Sequence, residues 1–96
     1  MIINACEGFE WDKGNRFKNW LKHGVSQDEA EEVFLNEPLL LFDDDKHSQG
    51  EQRVLAFGHT NDGRCLVIAF TVRKNLIRII SARAMNKKER DVYEKA

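Results

Sequence analysis

Residues 65 to 96 read CLVIAFTVRKNLIRIISARAMNKKERDVYEKA, and this stretch decides the fold. CLVIAFTV at 65 to 72 is nearly all apolar, the composition of a central strand covered on both faces. Arg73-Lys74-Asn75 makes a tight turn into a second strand at 76 to 84. Asn86 with Glu89 three positions on then supplies the N-cap and N3 residues of a basic amphipathic helix. In a regular strand Ile77, Ile79, Ser81 and Arg83 share one face, while Leu76, Arg78, Ile80 and Ala82 share the other. The two arginines therefore point apart unless a bulge or the strand end re-aims Arg83. Arg83, nearer the strand end and the basic helix, is the one expected at a site, with Arg78 structural.

Working outward, Asn61-Asp62-Gly63 is strong turn chemistry that pairs residues 65 to 72 back onto Glu51 to His59. Alternation in that segment puts Glu51, Arg53, Leu55 and Phe57 on one face, and Leu39 to Asp43 is a further short apolar run. Upstream, GFEW at 8 to 11 reads as an extended lead-in, and Asp12 caps a helix over 13 to 22 with Phe17, Trp20 and Leu21 as its apolar stripe. Lys22-His23-Gly24 closes that helix: cations suit its negative end and Gly24 takes the left-handed position. Ser26 with Glu29 forms a capping box, and Val25 with Ala30 a hydrophobic staple. The second helix turns Ala30, Val33 and Phe34 inward and stops near Asn36, ahead of Pro38. The expected architecture is α+β in one domain, 1–96: two N-terminal helices, a three- to four-stranded antiparallel sheet and a C-terminal helix, with the helices packed on one sheet face.

The chain has 96 residues, 42% of them hydrophobic and 32% charged, which suits a compact unit with a shallow site. Net charge is −1, but residues 1 to 72 hold 7 Lys+Arg against 13 Asp+Glu and residues 73 to 96 hold 8 against 3. That asymmetry predicts one positive face able to attract phosphate without indiscriminate nucleic-acid binding. No apolar run approaches the roughly 18 residues of a membrane span, and the N-terminus has no secretory signal pattern, so a cytoplasmic location is expected. Cys6 and Cys65 are far apart and read as reduced thiols.

Arginine on a sheet suits phosphate recognition, because the planar guanidinium donates bidentately and keeps its charge. The alternative for Arg53, Arg78 and Arg83 alike is a structural ion pair. His23, His47 and His59 match no metal-ligand spacing, and the Asp43 to Asp45 run reads as solvated turn, so neither metal nor cofactor is expected. Trp11 is either a stacking platform for a base or an anchor for the first helix. Tyr93 is either a packed helix aromatic or a site hydroxyl.

Several ordered motifs then resemble one family. They are F-E-W-D at 9 to 12, K-H-G-V-S at 22 to 26, E-x-R at 51 to 53, Asp62-Gly63-Arg64, R-I-I-S-A-R at 78 to 83, and K-x-E-R-x-x-Y-E at 87 to 94. Together they resemble the BrnT family, type II ribonuclease toxins grouped with the RelE-like fold and partnered by BrnA-like ribbon-helix-helix antitoxins. The resemblance implies RNA cleavage that inhibits translation, silenced by an antitoxin through which alone DNA is met. Residue by residue it marks Lys22, His23, Arg53, Arg78 and Arg83 as catalytic candidates, with Trp11, Lys87 and Tyr93 contacting or supporting RNA. By analogy with RelE-like nucleases it implies metal-independent attack of a ribose 2′-OH on the adjacent phosphate, His23 carrying the proton and the arginines stabilising charge. Two other readings stay open: a non-catalytic antitoxin-binding module, and a metal-dependent nuclease.

Overall fold

The computed structural model describes residues 6–12, 18, 20, 22–47 and 50–96. Its centre is a five-stranded sheet. The strands are β1 (Gly8–Trp11), β2 (Leu40–Asp43), β3 (Val54–His59), β4 (Cys65–Arg73) and β5 (Leu76–Ala84), in spatial order β1-β5-β4-β3-β2. From β2 to β5 the pairing is antiparallel, as the turn chemistry predicts. The lead-in GFEW is itself a strand. It lies parallel to β5 with Phe9 opposite Ile77 and Trp11 opposite Ile79, and the Glu7 amide donates to the Asn75 carbonyl at 2.7 Å. The sheet therefore has five strands where three or four were expected, and its edge pair β1–β5 is parallel.

Helix α1 (Gln27–Glu32) starts at the expected capping box, with Ser26 Oγ and the Glu29 amide 3.1 Å apart and Glu29 Oε1 and the Ser26 amide also 3.1 Å apart. It tightens into a 3-10 turn at Val33–Leu35 and ends before Pro38. Ala30 and Val33 are fully buried, and Phe34 meets Phe70 edge-on at 5.1 Å. Gly58 on β3 admits this turn: a Cβ there would stand 2.6 Å from Val33 Cγ1 and 3.2 Å from the Val33 carbonyl oxygen. The core on this side of the sheet gathers Val25, Ile68, Phe70, Ile77, Ile79 and Ala82.

Of the expected first helix, residues 13–17, 19 and 21 lie outside the described residues, Phe17 and Leu21 of its stripe among them. Lys18, Trp20, Lys22 and His23 are helical, and the Gly24 amide bonds the Trp20 carbonyl at 2.9 Å with Gly24 at φ 63°, the cap its sequence implies. Trp20 is 54% exposed, so it does not serve the inward stripe assigned to it.

Helix α2 (Lys87–Glu94) closes the chain, capped by Asn86 as expected. It covers part of the sheet face opposite α1, where Tyr93 and Met85 pack on Phe57 and Val67. The helices are thus divided between the two faces rather than packed on one.

Candidate functional site

The register of β4 with β5 determines which side chains share that face. Phe70 stands opposite Ile79, but Ala69 stands opposite Ser81, so Ile80 is an extra residue, a β-bulge. Beyond it the alternation changes phase: Ile77, Ile79 and Ala82 enter the α1-side core, while Arg78, Ser81 and Arg83 face the other way. The bulge corrects the expectation that the arginines oppose each other.

Between β2, β3, β4 and β5 on that face lies a cleft of about 220 Å³ lined by Asp44, Arg53, Leu55, Val67, Ala69, Ser81 and Arg83. This is small beside the roughly 300–1,000 Å³ of small-molecule pockets. A larger, open depression of about 560 Å³ bounded by Glu37, Pro38, Leu39 and Ala96 has no cation among its described lining residues.

Each cleft arginine is held by a carboxylate. Arg53 Nε lies 3.5 Å from Asp44 Oδ2, and the Asp44 amide donates to the Arg53 carbonyl at 2.8 Å. Arg83 engages Glu89 bidentately, Nη1 to Oε1 at 2.7 Å and Nη2 to Oε2 at 2.8 Å. These bonds to Arg83 hold the Glu89 carboxyl below its ordinary range against the effect of burial, and Glu89 in turn raises the guanidinium. Glu51 does not join Arg53 as the E-x-R spacing suggests. Glu51 to Arg53 precede the strand, and the Glu51 carboxylate takes Arg73 Nε at 2.9 and 2.7 Å. That bonding, with the more distant charge of Arg78, lowers the Glu51 carboxyl. Arg78 itself, beside Thr71 and Glu10, makes no side-chain hydrogen bond or ion pair among the described residues.

The remaining candidates are dispersed. Lys22, exposed, and His23, half-buried, end the helical turn ahead of Val25, which is buried in the α1-side core, and neither lines the cleft. Arg64 fixes that turn: its Nη1 donates to the Gly24 carbonyl at 2.8 Å and meets Glu29 at 3.2 Å, and Nη2 donates to the His23 carbonyl at 3.3 Å. Trp11 packs against the α1-side core and donates Nε1 to Glu31 at 2.8 Å, so its polar edge ties β1 to α1. Tyr93 is buried and donates its hydroxyl to the Pro38 carbonyl at 2.6 Å. His59 Nδ1 lies 2.8 Å from the Tyr93 hydroxyl oxygen. With the tyrosine proton committed to Pro38, Nδ1 is assigned as the donor. Burial, and then the neighbouring Cys65, push the Tyr93 hydroxyl up. Lys87 is exposed at the first position of α2. Within the described residues no three of His, Cys, Asp and Glu gather as metal ligands, and the His47 side chain is outside that set.

A sequence model of the ribonuclease toxin BrnT of type II toxin-antitoxin systems matches residues 11–89. The chain belongs to the BrnT family. That family membership implies an antitoxin partner and an RNA target. The crystal structure of the Brucella abortus ribonuclease toxin BrnT is similar, with a TM-score of 0.65 and 24% identity over 83% of this chain and 97% of that one. At that identity the likeness speaks to the fold. No curated protein sequence matches.

Two cleft residues of this BrnT-family chain escape a reading of its sequence. Asp44 sits inside the Asp43 to Asp45 run, where composition signals solvated turn, and only the Arg53 pairing distinguishes it from its neighbours. Ser81 is on the face expected for it with Arg83, but a lone serine in an apolar strand carries no signal of its own.

Proposed function

We propose that this chain is an endoribonuclease toxin whose cleft on the α2 face binds one RNA phosphate between Arg53 and Arg83. Cleavage proceeds without a metal, by attack of the ribose 2′-OH on that phosphate, and inhibits translation in the cytoplasm until a BrnA-like ribbon-helix-helix antitoxin sequesters the toxin. The observation that carries this reading is the convergence of Arg53 and Arg83 on one small cleft. Two guanidinium groups there would meet the charge of a phosphorane with fixed donors. Arg78, on the same face and roughly 13 Å along the strand from Arg83, and Lys87 at the start of α2 serve flanking phosphates.

A second reading is favoured by one feature: both cleft arginines already carry carboxylate partners, as in a face built for stability and antitoxin binding rather than turnover. Incubation of the purified protein with a long single-stranded RNA, with and without EDTA, separates the two. Cleavage that persists in EDTA and is lost in Arg53→Ala and Arg83→Ala is the expected result. Intact RNA beside tight antitoxin binding would establish the second reading, and cleavage abolished by EDTA would establish metal dependence.

A further inference from the structure

Cleavage by a 2′-OH needs a group to take its proton, and the cleft contains few that can. Arg53 and Arg83 keep their protons at any working pH, and Leu55, Val67 and Ala69 have no titratable atom. Ser81 is an alcohol like the substrate itself. Asp44 is the one carboxylate among the described lining residues, its side chain only 13% exposed. It is fixed from two directions, by its amide bond to the Arg53 carbonyl and by the ion pair with Arg53 Nε. An ionised carboxylate has about four lone-pair sites, so it can hold more than one donor at a time. The other candidates fit less well: His59 is engaged through Nδ1 with Tyr93, and neither His59 nor His23 lines the cleft.

We infer that Asp44 is the general base of the reaction, placed to take the 2′-proton while Arg53 and Arg83 hold the adjacent phosphate; this rests on the ribonuclease reading of the cleft. The 2′-O–H bond breaks as its proton passes to a carboxylate oxygen of Asp44, and the electron pair left on the 2′-oxygen forms the new bond to phosphorus. The P–O5′ bond breaks with its pair leaving on the 5′-oxygen, which takes a proton from water. The products are a 2′,3′-cyclic phosphate and a 5′-hydroxyl, and Asp44 returns its proton to solvent. Arg53 has two tasks here, its Nε facing the Asp44 carboxylate across the 3.5 Å ion pair and its terminal fork binding phosphate.

The test measures single-turnover cleavage of an RNA oligonucleotide by the full chain, together with affinity for the same sequence fully 2′-O-methylated, which binds but cannot react. Asp44→Asn is expected to cut the cleavage rate about 100-fold or more while the methylated RNA binds as tightly as before or more tightly. Added formate is expected to restore at least part of the rate to Asp44→Ala, since a small carboxylate can occupy the vacated position; an unfolded variant would show no such rescue. Asp44→Asn cleaving at the wild-type rate overturns the assignment and leaves the ribonuclease reading intact. So does parallel loss of binding and cleavage without formate rescue, which would make Asp44 only a support for Arg53. Failure of the wild-type protein to cleave overturns both.

Discussion

Glu89 accepts the Asn86 amide at 2.9 Å to close the capping box of α2, and the same carboxylate takes both terminal nitrogens of Arg83. Gln at this position can still accept the amide but cannot neutralise the guanidinium. Glu89→Gln should therefore cost only about 0.5–1 kcal/mol, since the Arg83 side chain is 40% exposed. It should also tighten single-strand RNA binding, measured by fluorescence anisotropy at low salt; unchanged or weaker binding would show that Arg83 does not meet the phosphate. The pair also predicts an acid limb of stability. Glu89 and Glu29 have folded carboxyl pKa values below the ordinary one; for Glu29, burial opposes this but the Ser26 amide and Arg64 overcome it. Depressed carboxylates stabilise fully above the unfolded value near 4.5 and lose that contribution as pH falls through the folded value. Thermal melts should hold level from neutral pH to about pH 5 and drop below it, and Glu89→Gln should flatten the drop.

At the level of elements, much was legible. Both capping boxes, the Gly24 terminator, the Asn61-Asp62-Gly63 turn and the apolar strand at β4 follow from local chemistry, because each bond involved spans only a few residues. The parallel edge strand was not, since GFEW carries a glycine and a glutamate and gains its partners from β5, far along the chain. Nor was the bulge at Ile80: alternation in LIRIISARA is compatible with two registers, and the partner strand decides between them. That one residue determines whether Arg78 and Arg83 share a face, so the site was the least legible part. Gly58 offers a test of the packing behind the sheet. Gly58→Ala places a Cβ within 2.6 Å of Val33 Cγ1, and overpacking of this kind costs about 1–3 kcal/mol. Urea denaturation should show a lower midpoint with an unchanged slope.

Across the whole molecule, the separation of charge along the sequence is only partly kept in space. Part of the acidic excess belongs to α1, with Glu29 and Glu31 engaged by Arg64 and Trp11, while Arg53, Arg73, Arg78 and Arg83 lie on the α2 face or at its margin, three of them paired there with Asp44, Glu51 and Glu89. The K-H-G motif is the critical case, because family resemblance puts Lys22 and His23 among the catalytic candidates while the fold places them with α1 and outside the cleft. If the cleft is the whole site, Lys22→Ala and His23→Ala keep the wild-type single-turnover rate and the salt dependence of RNA affinity. Arg83→Ala and Arg78→Ala each lower the slope of log affinity against log salt by about 0.7, the value for one phosphate contact on a single strand. A large rate loss in His23→Ala with RNA affinity intact would instead mean that bound RNA runs past the cleft to the turn that Arg64 holds, and that the proton carrier lies there.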